Sequence, residues 1–173
     1  ATPMKEAGAG ERILIVRLSH LGDICHALPV YHALRRTRPG ARLAWIVQGE
    51  FAPLVEMLPG IERVIRFDRR GGLGAWLRAR REMRSFDPTW TIDCQGNMKS
   101  GAATRLSGAP RRTGLHPEEW RETLGARALT DPAPPPYGRH AIHRMQPIIE
   151  CIDFGGEDPD ITLPLSDDAR DAG

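Results

Sequence analysis

Arg12-Ile-Leu-Ile-Val-Arg17, then Leu18-Ser-His-Leu-Gly-Asp23, then Ile24-Cys-His-Ala-Leu-Pro29: this stretch decides the architecture. The first segment is a short, uninterrupted apolar run of the kind that fills a strand buried on both faces. The second breaks the run with small and polar residues. From Ile24 to Arg38 the apolar residues Ile24, Ala27, Leu28, Tyr31 and Leu34 then recur at helical spacing. A buried strand, a tight turn and a helix are therefore predicted in succession.

The same unit repeats outward. Pro39-Gly40 stops the helix and Ala41 to Val47 is the next buried strand. A short helix from Phe51 to Leu58 ends at Pro59-Gly60, and Arg63 to Phe67 makes a third strand. Trp76 to Phe86 is helical, Thr89 to Asp93 a strand, Met98 to Leu106 helical, and Arg112-Thr-Gly114 ends a fifth short strand. Alternation of this kind predicts an α/β fold, a Rossmann-like doubly wound parallel sheet. Ligands of such sheets bind at the carboxyl ends of the strands. Those ends are Ser19 to Asp23, Asp68 to Gly74, Asp93 to Lys99 and Gly114 to Glu119.

Beyond this core, Asp131-Pro-Ala-Pro-Pro-Pro136 reads as a stiff polyproline connector. His140 to Phe154 offers one more helix, Ile161 to Leu165 is extended, and Ser166 opens a further helix by capping. The expected organisation is a flexible leader over 1–10, a domain over 11–165, and the start of a linker over 166–173.

Composition bounds the function. The chain has 173 residues, 40% apolar, 27% charged and 6% aromatic, with a mean hydropathy of −0.38. No apolar run approaches the roughly 18 residues of a membrane span, and the first ten residues carry no apolar signal core. Cys25, Cys94 and Cys151 are odd in number and lack CxxC spacing, which argues against a disulfide scaffold or a cysteine zinc cluster. A reducing cytoplasm is the simplest home. The net charge of +2 conceals an asymmetry: residues 1–149 hold 23 basic and 14 acidic side chains, and residues 150–173 hold one and eight. A basic body of this kind suits phosphates, nucleic acid or an anionic membrane surface, or is merely solvated arginine.

The loop with most chemistry is Ser19 to Asp23. Gly22 lets backbone approach a ligand closely, and Asp23 falls in the first turn of the helix, where the dipole favours the carboxylate form. A carboxylate there can take a proton from a substrate hydroxyl. The plainer reading is that Asp23 only caps the helix, and spacing leaves Ser19, His20 and Asp23 undecided.

The stretch Arg12 to Pro29, with its strand, S-x-x-G-D loop and Ala27-Leu-Pro29, resembles the opening of glycosyltransferase family 9, the ADP-heptose:lipopolysaccharide heptosyltransferases. Pro39-Gly40, Trp45-Ile-Val47, Gly60 to Ile65, Ile92-Asp-Cys-Gln-Gly96, Lys99-Ser100, Arg121-Glu122 and His140-Ala-Ile-His-Arg144 follow in the family's order. The resemblance implies one half of a GT-B glycosyltransferase, the acceptor-binding half. It implies that Asp23 is the general base of an inverting transfer of heptose from ADP-heptose to the lipopolysaccharide inner core. It also implies an acidic, lipid-linked saccharide acceptor and peripheral work at the cytoplasmic face of the inner membrane.

The family's nucleotide-contacting D-T-G-x-x-H signature does not occur in these 173 residues, so the expectation is a chain that lacks its C-terminal donor domain and is inactive alone. The donor is a substrate, and no cofactor is expected.

Acceptor contacts expected from the resemblance and the strand ends are Ser19, His20, Gly22, Arg69, Arg70, Gln95, Gly96, Lys99, Arg121, His140 and Arg144. For Arg69 and Arg70, pairing with acceptor carboxylates or phosphates and a solvated surface loop stand side by side. Three motifs are set aside. Gly8-Ala-Gly10 precedes a strand instead of following one, so it is no dinucleotide fingerprint. Asp158-Pro-Asp160 lies in the acidic tail, and the histidines lack ligand spacing, so no metal site is expected. Nucleic acid is not an expected partner, because the basic body lacks interleaved aromatics. The alternative to the enzyme is a stand-alone, non-catalytic Rossmann-like module that binds an anionic glycan or a partner domain.

Overall fold

Strand β1 (Arg12–Val16) is apolar from Ile13 onward because both of its faces are covered: Ile13 and Ile15 point into one core, Leu14 and Val16 into another. It sits at the centre of a six-stranded, all-parallel sheet in a computed structural model that describes residues 10–137 and 143–152. The other strands are β2 (Arg42–Gln48), β3 (Ile61–Phe67), β4 (Trp90–Asp93), β5 (Arg111–Gly114) and β6 (Asp131–Pro132), in the spatial order β3-β2-β1-β4-β5-β6. The order reverses between β1 and β4, which pair from Ile13 with Trp90 to Val16 with Asp93.

Helices α1 (Leu21–Thr37), α2 (Ala52–Glu56) and α5 (Gln146–Ile152) cover one face, α3 (Gly72–Phe86) and α4 (Met98–Ser107) the other. The first core holds Trp45, Ile24, Leu28, Leu34 and Ile148; the second holds Ile46, Ile65, Met83 and Phe86. At roughly 1.5–3 kcal/mol for each fully buried large apolar side chain, these two layers supply the driving force that holds the helices on the sheet. The fold class expected from the sequence is the one observed.

Boundaries differ where local propensity was outvoted. Helix α1 starts at Leu21 instead of Ile24, because His20, at φ 63°, turns the chain and its carbonyl accepts the Ile24 N–H at 3.0 Å. Gly22 and Asp23 are thus helical. Pro29 lies inside α1 and removes the helical hydrogen bond to the Cys25 carbonyl; the helix survives on its buried face. Helix α3 starts at Gly72 instead of Trp76, its glycine-rich first turn carried by the packing of Ala75 and Ala79 on the sheet. The connector predicted from Asp131 begins as strand β6, paired with Thr113 and Gly114; Pro132 is tolerated there because β6 is an edge. Helix α5 falls inside the helix predicted from His140 to Phe154. The linker expected over 166–173, the extended stretch from Ile161 and most of the leader lie outside the described residues.

Candidate active site at the reversal of the strand order

Arg17 closes β1 and is buried, 5% exposed. Its Nη1 donates to the Cys94 carbonyl at the end of β4, and its Nη2 lies 2.9 Å from Asp23 Oδ1 in the first turn of α1. Burial pulls the Arg17 pKa down, and the nearby Asp23 carboxylate opposes that pull. A guanidinium remains charged in such a setting, so one buried cation joins the ends of β1, β4 and α1. Its Nε has no hydrogen-bond partner among the described residues.

Asp23 keeps 42% of its side chain exposed. Its Oδ1 is held by Arg17 and lies 4.0 Å from His26 Nδ1, while Oδ2 lies 3.5 Å from His20 Nδ1. The carboxylate is anchored on one oxygen, and the other lies beside the exposed imidazole of His20. The carboxylate's partners at the start of α1 are thus a guanidinium and two imidazoles.

Across the reversal, the β4–α4 loop is shaped by Asp93. Its buried carboxylate accepts from Gln95 N–H at 2.9 Å, Gly96 N–H at 3.0 Å and Thr104 Oγ1 at 3.1 Å. Burial pushes the Asp93 pKa up, and these hydrogen bonds pull against it. Asn97 then caps α4 in a reciprocal capping box with Ser100. Gln95 Oε1 accepts the Leu18 N–H at 2.7 Å, which fixes the amide orientation and leaves its amino end as the donor.

Two adjoining cavities open at this edge. The smaller, about 290 Å³, is lined by Ser19, His20, Gln95, Lys99, Arg69 and Arg121, with Gln48, Asn97 and Glu122 among its other walls. The larger, about 780 Å³, adds Arg66, Arg70, Glu50 and Asp68, and shares Gln48, Arg69 and Lys99 with the first. Six of the expected acceptor contacts thus converge on one cavity, and Arg70 lines its neighbour.

Others are placed differently. Gly22 is exposed in α1 with open space above it. Gly96 is buried at φ 74°, where a Cβ would meet Leu115 Cδ1 at 3.0 Å, so it serves the turn and lines neither cavity. Arg144 holds the turn at Pro117–Glu119, donating to the Glu119 carbonyl at 3.0 Å and pairing with its carboxylate at 3.3 Å. His140 lies outside the described residues. The sequence reading missed Arg17 and His26. An arginine closing an otherwise apolar strand, and a histidine three residues after Asp23 on a helix, are the signals that could have found them.

An all-parallel sheet with this strand order, matched in fold by solved glycosyltransferases, is one Rossmann-like half of a GT-B glycosyltransferase. No protein-family model matches the chain. It is 31% identical over 153 residues to lipopolysaccharide heptosyltransferase 1 of Pseudomonas aeruginosa, an alignment that covers 83% of this chain and 43% of that protein. It is 33% identical over 106 residues to lipopolysaccharide heptosyltransferase 1 of Escherichia coli K12, covering 56% of this chain and 33% of that one. Among solved structures, the E. coli heptosyltransferase WaaC with ADP superposes with a TM-score of 0.73 at 25% identity, over 88% of this chain and 51% of that one. A glycosyl transferase family 9 protein of Veillonella parvula shares the fold, with a TM-score of 0.77 at 18% identity over 95% and 48% of the two chains. The chain belongs to glycosyltransferase family 9, and spans less than half the length of these curated relatives.

Proposed function

We propose that the natural protein transfers heptose from ADP-heptose to an acidic, lipid-linked acceptor of the lipopolysaccharide inner core, with inversion, and that this chain supplies the general base and the acceptor wall. The observation that carries the reading is the Asp23 carboxylate, fixed through Oδ1 by buried Arg17 at 2.9 Å, with Oδ2 3.5 Å from His20, a wall of the smaller cavity, which Asp23 itself does not line. The relatives' names support the substrate class.

In this mechanism the acceptor hydroxyl gives its proton to Asp23 Oδ2 as its oxygen bonds to the anomeric carbon. The bond from that carbon to the diphosphate breaks, and ADP leaves with the electron pair. Arg17 keeps the carboxylate oriented, which removes the entropy of finding the attacking geometry. Lys99, Arg69 and Arg70 meet the acceptor's carboxylates or phosphates, where charge-assisted hydrogen bonds are about twice as strong as neutral ones. The Gln95 amino group and Ser19 hydroxyl orient the sugar. The proposed location is peripheral, at the cytoplasmic face of the inner membrane; among the described residues, no helix is long and apolar enough to cross a membrane.

The test is Asp23→Asn in the natural gene product. Loss of a positioned base costs on the order of 10²- to 10⁴-fold in turnover, with binding of ADP nearly unchanged. Turnover retained in the variant removes Asp23 from the mechanism.

A further inference from the structure

Helix α3 presents a face that the site does not use. Its inward residues Ala75, Ala79, Met83 and Phe86 pack on the sheet. On the outside, Leu73, Leu77, Arg80, Arg81 and Arg84 recur at i, i+4, i+7, i+8 and i+11, a single stripe about 16 Å long at 1.5 Å per residue. Leu73 is 75% exposed and Leu77 53%. Leu77 and the three arginines surround a shallow depression. Arg84 is committed in part, its Nε donating to the Leu106 carbonyl at 3.1 Å, whereas Arg78, Arg80 and Arg81 stand exposed. Glu82 is the helix's one acid against four arginines.

We propose that this outward stripe of α3 docks the protein on an anionic bilayer surface. The charge is complementary to acidic headgroups, and the two leucines supply the apolar insertion that a purely electrostatic contact lacks. Arginines along such a face lay their stems on the acyl boundary and keep the guanidinium groups among the phosphates. A protein interface would carry a broader apolar centre with fewer charges. The leucines stand at the end of α3 nearest the site: Leu73 follows Arg70, a wall of the larger cavity, by three residues. Docking therefore brings the mouth of the acceptor cavity to the membrane. This deepens the peripheral location proposed above and rests on it for its purpose, but its test reads binding and not turnover.

The experiment sediments the protein with vesicles of phosphatidylglycerol and phosphatidylethanolamine, and with phosphatidylcholine vesicles as control. The expected result is binding to the anionic vesicles alone, weakened by salt. Arg80→Gln with Arg81→Gln should cut that binding at least about tenfold, and Leu77→Ser should cut it separately. All three positions are exposed, so unchanged circular dichroism is expected. Transfer to a soluble, delipidated acceptor should be the same in these variants as in the natural protein. Absence of binding to anionic vesicles, or equal binding by the variants, overturns the proposal. So does retention of a DNA duplex through the same arginines by a protein that ignores vesicles. Loss of soluble transfer in every version, with vesicle binding intact, would count against the transferase reading and leave the docking face standing.

Discussion

Arg17 Nη2 lies 2.9 Å from Asp23 Oδ1, and the same guanidinium holds the Cys94 carbonyl, so the carboxylate's position is set by a cation wedged between two strand ends. Lysine can keep the charge but not the two-pronged bridge. Arg17→Lys is therefore expected to lower kcat about 10- to 100-fold while KM moves little. Steady-state kinetics in the natural gene product separates the two constants. An unchanged kcat would reduce Arg17 to a structural residue.

Lys99 and Arg69 are shared by both cavities. If they bind acceptor anions in ground and transition state alike, Lys99→Ala should raise the acceptor KM about tenfold with kcat preserved. The salt dependence of KM should flatten in the variant. A fall in kcat alone would place Lys99 at the reacting centre instead.

Asp93 shapes the loop that carries Gln95, and its buried carboxylate has a raised pKa. The sign follows from that direction. The native state keeps the proton to higher pH than the unfolded chain, so this group's contribution to stability is fully present below the unfolded value near 4 and lost as pH rises through the native one. Asp93→Asn keeps an acceptor for the Gln95 and Gly96 N–H groups and removes the titration, and should be nearly neutral at pH 7. Asp93→Ala orphans two backbone donors and should cost about 2–4 kcal/mol. Urea denaturation across pH distinguishes them: a wild-type slope in that window that persists in Asn would assign it elsewhere.

Gly101 of α4 faces Gly125, and a Cβ on it would lie 2.6 Å from the Gly125 carbonyl oxygen. Backbone cannot yield as a side-chain tip does. Gly101→Ala should cost about 1–3 kcal/mol despite alanine's better helix propensity. A denaturation midpoint that rises instead would mean that residues 123–128 shift freely.

Burial pushes the Cys94 thiol up to about 12. Its thiolate is therefore scarce below pH 9, and alkylation with iodoacetamide should spare it until the protein unfolds. Peptide mass spectrometry after native labelling checks this. Label on Cys94 at pH 8 would show that the end of β4 opens.

How much of this was written in the chain depends on distance along it. The runs at Arg12–Val16 and Ala41–Val47 are legible because a strand buried on both faces is apolar past its entry, whereas Thr89–Asp93 buries the polar Thr91 and Asp93 by hydrogen-bonding them. Pairing of β1 with β4 comes from a rule about parallel sheets and not from either strand's residues, yet it brings Gln95 to Leu18. Half of Arg17's role was hidden because its Cys94 partner is set by that pairing, although Asp23 lies only six residues further along the chain. The early starts of α1 and α3 were hidden by glycines, whose poor propensity was overruled by packing of Ile24, Ala75 and Ala79. Gly96 was expected among the acceptor contacts together with Gln95 and Lys99; its positive φ and the side chains of Leu115 and Trp120 above it give it a place in the turn, and it lines neither cavity.

His20 sits at φ 63° and ψ 129°, a conformation that glycine enters freely and a residue with a Cβ enters at a cost of about 1–3 kcal/mol. The same residue puts its imidazole 3.5 Å from Asp23. A glycine at this position would give a sturdier protein with a barer carboxylate. Backbone ease and the company of Asp23 are thus set against each other at one residue, and a screen for heat-resistant variants of this chain would drift toward ones that give up the imidazole.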